Sequence, residues 1–464
     1  MSRYWNTERI ASLLGQRLNH ATREVLEITT DSRQVKPGSV FFAIKGDTHD
    51  GHHFIQAAIN AGAIAVVSEV AGTHPHGEFF TVESTLDSIR TLAHHYRKSY
   101  SIPFIAVVGA VGKTTTKELI SSIFLGRFKS VSKTLGSQNG FLGIPLTILS
   151  LDKGTDAAVI EIGIDDIGAM EKHLGLVEPT HVILTKIGPE HLHQLKTVAI
   201  AAEEELKAFD YALQMKLPLA INLSDDYVNA WFQKNHSHLT DAQFLTYSLE
   251  KTKTPELLGI YDPDSSELTV LGEDLNASFS MPLPGEHHAH NLLASITLSQ
   301  FFKLSVSEIR EGLTHFKTAY GRTEIHNLPN HVEIIGDYYN SNPTSLEAAL
   351  NLLVAKRGSS ACIAVLGDML ELGQEEERFH REIAKSIINH QITSTLLFGP
   401  RMQWLKDELQ KNGYDAVSHF STLEELVTKL KQSVSPHTKI LIKGSRGMKM
   451  EKVLQALIQE AKST

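Results

Sequence analysis

The most constraining feature of the sequence is a short glycine loop between an apolar strand and a helix. The run VVGAVGKTTTKE covers Val107–Glu118 and continues the apolar segment IPFIA. A strand that is apolar on both faces indicates a buried parallel sheet, and strand, Gly-Lys-Thr turn and helix in this order are typical of phosphate-binding loops. The common loop has four residues between its first glycine and the Gly-Lys pair, whereas here only Ala110 and Val111 lie there. The sequence therefore predicts an anion site with a shortened loop.

The residue types in this loop suit a nucleoside triphosphate. Gly109 and Gly112 allow a sharp turn that presents backbone N–H groups, and the helix N-terminus adds partial positive charge. Lys113 can pair with the β- and γ-phosphates, and the Thr114 hydroxyl can bind Mg²⁺. We therefore predict ATP and Mg²⁺ as cofactors. The loop residues predicted to contact ATP are Gly109, Ala110, Val111, Gly112, Lys113, Thr114 and Thr115.

Composition excludes several classes of protein. The net charge is −9 and no basic run is present, which argues against nucleic acid as the main partner. Cys362 is the only cysteine, so an intrachain disulfide framework is excluded and a reducing cytoplasm is favoured. The N-terminus lacks a signal-peptide pattern, and no run of about 18 apolar residues predicts a membrane span. We expect a cytoplasmic globular protein.

The length and the order of elements predict three α/β domains. A chain of 464 residues is too long for a single ordinary core. Residues 1–100 are predicted to form a small α/β substrate domain, with strands at Ser39–Gly46 and Ala63–Glu69. Residues 101–318 alternate apolar strands with helices, as a doubly wound ATPase domain of the P-loop type does. Residues 319–464 alternate again and predict a Rossmann-like domain.

The glycine loop also resembles a known short form of the nucleotide-binding loop. The pattern GxxGKTTTK is similar to the short nucleotide loop of the Mur ligases, the ATP-dependent amide ligases that build the stem peptide of peptidoglycan, and similar loops occur in folylpolyglutamate synthetases. Further runs that resemble this family are Thr29–Ile55, Gly143–Leu149, Val159–Gly163 and Pro284–Ile296.

Three C-terminal runs are more discriminating. DYYNSNPTSLEAAL (Asp337–Leu350), VLGDMLELG (Val365–Gly373) and LIKGSRGMKMEKV (Leu441–Val453) resemble those of the family member that adds D-alanyl-D-alanine to UDP-N-acetylmuramoyl tripeptide. The resemblance implies an ATP-dependent peptide ligase with small-molecule substrates, acting through an acyl phosphate, and a monomer. The runs leave open whether the third stem residue is diaminopimelate or lysine.

The resemblance also implies roles for single residues. Glu161 ends a strand, where side chains of a doubly wound sheet face the ligand crevice, and it is expected to bind Mg²⁺ together with Thr114 and His191. Arg322 is expected to close over the ATP phosphates. The other implied nucleotide contacts are Asn291, Asp337 and Asn340. The implied substrate contacts are Ser32, Arg33 and Lys45 for the uridine diphosphate, and Lys443, Ser445 and Arg446 for the tripeptide carboxylates and the incoming dipeptide.

The sequence departs from the family pattern at one informative position. Most Mur ligases carry a carbamoylated Lys on the helix after the metal-binding His, whereas the helix here reads AIAAEEELKAF, with Glu203 at that place. We expect Glu203 to supply the carboxylate directly, and Lys207 one turn later is the rival. Smaller departures are Lys186 in place of the usual Asn, GSQNG at Gly136–Gly140, and Gly336 before Asp337.

The sequence leaves three alternative functions open. Another Mur or folylpolyglutamate-type ligase would use the same loop, although the three C-terminal runs favour the D-alanyl-D-alanine enzyme. A P-loop ATPase that drives transport or assembly would hydrolyse ATP without an acceptor. A non-catalytic nucleotide binder would not need Lys113, Glu161 and His191 together.

Overall fold

The computed structural model describes residues 4–46, 49–239 and 243–463. The chain divides into two compact units. One comprises Met1–Ala106, Phe128–Ile162 and Glu171–His181, and the other comprises Val107–Arg127, Gly163–Met170 and Val182–Thr464. Among the described residues, no helix is both long and apolar enough to cross a membrane.

The N-terminal part contains a four-stranded parallel sheet in the order β1-β2-β3-β4. Its elements are α1 (Thr7–Leu13), β1 (Glu27–Thr29), β2 (Ser39–Phe42), α2 (Ile55–Asn60), β3 (Ala65–Ser68), β4 (Glu78–Thr81) and α3 (Thr85–Arg97). Both predicted strands are present, but β2 ends at Phe42, because the chain turns there and the Gly51 N–H donates to the Ile44 carbonyl. Phe41 and Val66 pack with Ala58 of α2 in a small apolar core.

The middle part contributes a nine-stranded sheet in the order β13-β12-β11-β10-β9-β8-β5-β7-β6. Its first elements are β5 (Phe104–Val108), α4 (Lys113–Phe124), β6 (Val131–Lys133), α5 (Gly143–Leu149), β7 (Ala157–Glu161), α6 (Ala169–Val177), β8 (His181–Leu184), α7 (Leu192–Leu195), α8 (Val198–Met215) and β9 (Leu219–Asn222). They are followed by α9 (Asp226–Asn235), β10 (Phe244–Ser248), β11 (Leu257–Asp262), β12 (Glu267–Leu271), β13 (Asn276–Ser280), α10 (Glu286–Gln300) and α11 (Val306–Thr314). The predicted apolar strands β5 and β7 are completely buried.

The last three strands of this sheet differ from the predicted alternation. β11, β12 and β13 form an antiparallel meander, with no helix between them. In β12 buried and more exposed residues alternate, which is the pattern of a strand with one face toward the core. The polar turn DPDSSE at 262–267 separates β11 from β12 and was the sequence signal for a hairpin.

The C-terminal part is a six-stranded sheet in the order β14-β15-β19-β16-β17-β18. Its elements are β14 (Glu324–Leu328), β15 (Val332–Asp337), α12 (Pro343–Ala355), β16 (Cys362–Gly367), α13 (Glu376–Asn389), β17 (Ser394–Phe398), α14 (Met402–Lys411), β18 (Val417–Phe420), α15 (Leu423–Ser433), β19 (Lys439–Lys443) and α16 (Glu451–Ser463). Only β14 is antiparallel to its neighbour. Two apolar clusters are formed by side chains that alternate along the strands, such as Ala364 in one and Val365 in the other. The helices therefore cover both faces of the sheet, as the predicted Rossmann-like architecture requires.

The predicted fold class of three α/β domains is confirmed, since three separate sheets follow one another along the chain. The exact boundaries at residues 100 and 318 stay predictions. The carboxyl ends of the parallel strands carry the polar residues of the candidate active site, because loops leave the sheet at that edge.

Candidate active site

The loop between β5 and α4 has the backbone geometry that its glycines predict. Gly109 and Gly112 have φ angles of +116° and +91°, which residues with a Cβ rarely adopt. A Cβ on Gly112 would lie 2.5 Å from Oδ1 of Asn291, in α10. Asn291, predicted to contact the nucleotide, is therefore placed against the loop that is predicted to bind its phosphates.

The first three N–H groups of the loop already have protein acceptors. The Gly109 N–H donates to Oε2 of Glu205 at 2.7 Å, and the N–H groups of Ala110 and Val111 donate to the Lys186 carbonyl at 2.8 and 3.2 Å. The next residues begin α4 at Lys113, and the first N–H groups of a helix have no acceptor within the helix. The loop thus consists of a first half bonded to protein and a second half that is a helix N-terminus.

Lys113 is paired in this structure. Its Nζ donates to Oε2 of Glu190 at 2.8 Å, and both side chains are largely buried, with 7% and 15% of their surfaces exposed. Thr114 and Thr115 are buried in the first turn of α4. A carboxylate therefore contacts the ammonium group that is predicted to contact phosphate oxygens.

Three consecutive glutamates of α8 differ in their surroundings. Glu203 is exposed, whereas Glu204 and Glu205 are buried. Glu204 accepts hydrogen bonds from the N–H groups of Gly168 and Met170. Since each residue of an α-helix turns about 100° around its axis, residues two positions apart are separated by about 200°, and Glu203 and Glu205 point in different directions. The structure brings Glu205 to the phosphate loop, and the role predicted for Glu203 stays a prediction.

Burial controls the charge of Glu205. It raises the pKa of this carboxyl group to about 7; the nearby Lys113 opposes the shift and Glu190 adds to it. Glu205 lines a small cavity together with Ala110, Glu190 and His191. Glu205 is not among the residues predicted from the sequence, although its place in the EEE run of a helix near the predicted metal-binding His was a signal.

His191 contacts a carboxylate of the C-terminal part. Its Nδ1 lies 2.8 Å from Oε2 of Glu371, and its Nε2 lies 3.9 Å from Oε1 of Glu190. Burial disfavours the charged imidazole, but the hydrogen bond to Glu371 and the charge of Glu190 outweigh it and raise the pKa of His191. Both His191 and Glu371 have positive φ angles, 50° and 65°. Glu371 belongs to the GDMLELG run, so its motif was visible but its contact was not.

Glu161 lies at the end of β7, as predicted, and is 1% exposed. Its Oε1 accepts a hydrogen bond from Nδ2 of Asn139 at 2.8 Å, and its backbone N–H donates to Oγ1 of Thr134 at 3.0 Å. Asn139 is part of the GSQNG run that departs from the family pattern. This amide orients the carboxylate that is predicted to bind Mg²⁺.

The donor types at the predicted magnesium site suit a hard cation. Thr114 and Glu161 offer oxygen atoms, which Mg²⁺ prefers, and His191 offers one nitrogen. In the part of the chain that the structure describes, no cluster of three or more His, Cys, Asp or Glu side chains is placed to hold a metal ion.

Asp337 and Lys443 form a buried ion pair at the carboxyl ends of β15 and β19. Lys443 Nζ donates to Oδ2 of Asp337 at 2.5 Å and to the Asn340 carbonyl at 2.9 Å. Lys443 is only 1% exposed, because the register makes Asp337 and Lys443 direct partners on adjacent parallel strands. Its predicted contact with the substrate stays a prediction. Lys443 therefore orients the two residues that are predicted to approach the nucleotide.

The other predicted residues of this part divide into buried and exposed ones. Ser445 is buried, and its Oγ accepts from the Leu370 N–H and donates to the Ser341 carbonyl; its predicted contact with the substrate stays a prediction. Arg446 is exposed. The Arg322 guanidinium lies 4.8 Å from the centre of the Tyr339 ring, and that of Arg446 lies 5.6 Å from it.

The region around Asn291 is rich in neutral imidazoles. Burial lowers the pKa of His287 and of His290 to about 4, so both rings are uncharged at pH 7. His288 is also buried, and its Nε2 lies 3.0 Å from Oγ1 of Thr323 at the start of the C-terminal part. These histidines lie in the first turns of α10, beside Asn291.

The predicted uridine diphosphate contacts lie in the N-terminal part. Arg33 is 87% exposed at its side chain and forms a two-pronged pair with Asp31, from Nε to Oδ1 at 2.9 Å and from Nη2 to Oδ2 at 2.7 Å. The Arg33 guanidinium lowers the pKa of Asp31 to about 2. Ser32 is half-buried and Lys45 is exposed. Their contact with a substrate stays a prediction.

Comparisons with known proteins agree with the order of these parts. Three family models match: "Mur ligase family, catalytic domain" over residues 24–93, "Mur ligase middle domain" over 107–299, and "Mur ligase, glutamate ligase domain" over 321–446. The chain is 30% identical to the UDP-N-acetylmuramoyl-tripeptide--D-alanyl-D-alanine ligase of Bacillus subtilis, over 93% of both chains. It is 32% identical to the ligase of the same name from Synechocystis sp., over 93% of this chain and 92% of the relative.

Solved structures have the same fold. The structure of MurF from Acinetobacter baumannii matches with a TM-score of 0.87 and 23% identity, over 98% of this chain and 99% of the other. The structure of MurF ligase from Thermotoga maritima in complex with ADP matches with a TM-score of 0.81 and 24% identity, over 94% and 98%.

Proposed function

The chain belongs to the Mur ligase family, and from this premise we propose that it is the ATP-dependent ligase that joins D-alanyl-D-alanine to UDP-N-acetylmuramoyl tripeptide. The observation that carries the proposal is the similarity to ligases of that name over 93% of the chain, at 30% and 32% identity. A similar fold has been solved with ADP. The loop before α4 has two glycines with positive φ angles and leads into a helix N-terminus, which favours phosphate binding. We propose a cytoplasmic monomer as its working state.

The chemistry proposed begins with the tripeptide carboxylate. An ionised carboxylate is a poor electrophile, so one of its oxygens first attacks the γ-phosphorus of ATP, and ADP leaves. The dipeptide amine then attacks the acyl carbon of the resulting acyl phosphate, and inorganic phosphate leaves as the amide bond forms. Both steps need positioning and neutralisation of charge more than covalent help from the protein.

Side chains of the site suit these needs. Lys113 would exchange Glu190 for the β- and γ-phosphate oxygens, and Asn291 would contact the adenine beside the loop. Arg322 and Arg446 lie near one Tyr339 ring, and guanidinium groups bind phosphates and carboxylates with two parallel hydrogen bonds. Asp337 and Asn340, oriented by Lys443, would approach the nucleotide from the C-terminal part.

A bound Mg²⁺ would neutralise charge on the transferred phosphoryl group, and we propose Thr114, Glu161 and His191 as the side chains that hold it. Glu203 would supply a further carboxylate in place of the carbamoylated Lys of other members. Glu203→Ala should then lower turnover strongly, and wild-type activity should not respond to added bicarbonate. Stimulation by bicarbonate would instead indicate a modified lysine, such as Lys207.

The direct test of the proposed function is phosphate release from ATP in the presence of UDP-N-acetylmuramoyl tripeptide. We expect rapid release only when D-alanyl-D-alanine is added as well, together with the pentapeptide product by mass spectrometry. Lys113→Met is the inactive control. Release without any acceptor would indicate an ATPase, and release with single amino acids in place of the dipeptide would indicate another ligase of the family.

A further inference from the structure

We propose that Glu205 is the positioning residue of the phosphate loop, holding the first loop amide so that the following amides at the start of α4 face the nucleotide. The inference rests on the proposed function only in taking this loop as the ATP site. It concerns a contact 96 residues away in the chain.

The loop is held on one side by the end of β8. The Lys186 carbonyl accepts from Ala110 and Val111, and Thr185 Oγ1 donates to the Val111 carbonyl at 2.6 Å. A Cβ on Gly109 would lie 2.5 Å from the same Thr185 oxygen. The backbone from 109 to 111 therefore fits closely against these two residues.

Glu205 provides the one side-chain acceptor for the N–H groups of residues 109 to 111, among the contacts that the structure describes. It reaches the loop from α8, its Oε2 accepts from Gly109 at 2.7 Å, and the residue is 2% exposed. A hydrogen bond to a charged acceptor contributes more to stability than a hydrogen bond between neutral groups, and a buried N–H group without an acceptor destabilises the fold. Removing this acceptor should therefore release the start of the loop rather than leave it in place.

The shortness of the loop explains why an external acceptor is needed. Only two residues separate Gly109 from Gly112, so the loop has few contacts of its own. Three of its N–H groups are bonded to protein, and α4 begins directly after Gly112. A shift in the position of Gly109 would therefore move the start of α4 as well, because a loop with two intervening residues cannot absorb it.

The test measures nucleotide binding on the whole protein, separately from ligase activity. Glu205→Ala should raise the Kd for ADP and for ATP about tenfold, as expected for loss of a hydrogen bond to a charged or polar acceptor. Glu205→Gln keeps an oxygen acceptor and should bind within about threefold of wild type. KM for ATP should rise more than kcat falls, since the groups that contact the reacting atoms are unchanged.

The matched control is Glu204→Ala. Glu204 is equally buried on the same helix but accepts from residues 168 and 170, so this variant should lower stability without changing nucleotide affinity. Hydrogen exchange of the 107–112 segment should rise in Glu205→Ala and stay at the wild-type level in Glu205→Gln. If Glu205→Ala does not fold, Glu205→Met repeats the test, because it fills the space without an acceptor.

Two results would overturn the proposal. One is an unchanged nucleotide Kd in a folded Glu205→Ala or Glu205→Met variant. The other is an equal loss of affinity in the Glu204 and Glu205 variants, which would show a general effect of the helix. A wild-type protein that binds ADP at this loop but fails to form the amide would sink the proposed function and leave the role of Glu205 standing.

Discussion

The buried pair of Asp337 and Lys443 allows a quantitative test of the C-terminal part. Lys443 is 1% exposed and donates to Oδ2 of Asp337 at 2.5 Å. Burial alone would raise the pKa of Asp337, but the adjacent ammonium group outweighs it and lowers this pKa. Lys443→Met, Asp337→Asn and the double variant form a cycle that measures the coupling.

The expected magnitudes follow from the burial of both groups. Removing one partner leaves an unpaired buried charge, which costs about 3–5 kcal/mol. Removing both charges leaves no such group, so the double variant should lose much less than the sum of the two single losses, with a coupling of about 2 kcal/mol or more. The loss of the Asn340 carbonyl's donor is common to both variants that lack Lys443, and it does not enter the coupling.

Tryptophan fluorescence can follow this part alone. The chain has three tryptophans, and Trp404 of α14 lies in the C-terminal part, in edge contact with His380. In a Trp5→Phe, Trp231→Phe background, urea unfolding reported by Trp404 gives the free energy of unfolding of this part. Single losses below about 1 kcal/mol, or additive losses, would refute the reasoning. A stable Lys443→Met variant with a raised KM for the tripeptide would indicate that Lys443 contacts the substrate.

Three further predictions concern the rest of the chain. Glu190→Gln removes the carboxylate that pairs with the largely buried Lys113, and it should tighten ATP binding about tenfold or more in calorimetry, because the free protein then lacks the ion pair that stabilises this ammonium group; unchanged or weaker binding would contradict this. Gly112→Ala should weaken ATP binding about tenfold or more, because φ is +91° and the Cβ would lie 2.5 Å from Asn291. Burial lowers the pKa of His173 to about 3. Between about pH 3 and 6.5 the unfolded chain therefore binds more protons than the folded one, and the free energy of unfolding falls as the pH falls. When the pH is lowered from 7.5 to 5, the free energy of unfolding of His173→Leu, measured by urea unfolding, should decrease by about 2 kcal/mol less than that of the wild type.

The local elements of the fold were predictable because their signals lie close together in the sequence. The apolar run of β5, the glycines at 109 and 112 and the helix after Lys113 all depend on neighbouring residues. The antiparallel meander β11–β13 was not predicted, because the alternation of strands and helices in the preceding segments was extended to residue 318. The turn sequence between β11 and β12 was nevertheless visible in the sequence.

Contacts between distant segments were beyond the reach of the sequence. Whether Glu203 or Glu205 faces the loop depends on the rotation of α8, which the EEE run alone does not fix. Lys443 is predicted to contact substrate because it ends a strand in a family motif. Its burial follows from the pairing of β15 with β19, which places Asp337 beside it, and strand order cannot be read from one chain.

Two carboxylates hold the side chains that the proposed reaction needs. Glu190 contacts Lys113 and Glu371 contacts His191, each at 2.8 Å. A carboxylate resembles a phosphate in charge and in its oxygen acceptors, so Glu190 satisfies the buried ammonium group of Lys113. In the proposed reaction, ATP bound at Lys113 would replace Glu190, and a metal ion bound through Nδ1 of His191 would replace Glu371. Because Glu371 comes from the C-terminal part, occupation of His191 through that atom would also release a contact between that part and the phosphate-loop region.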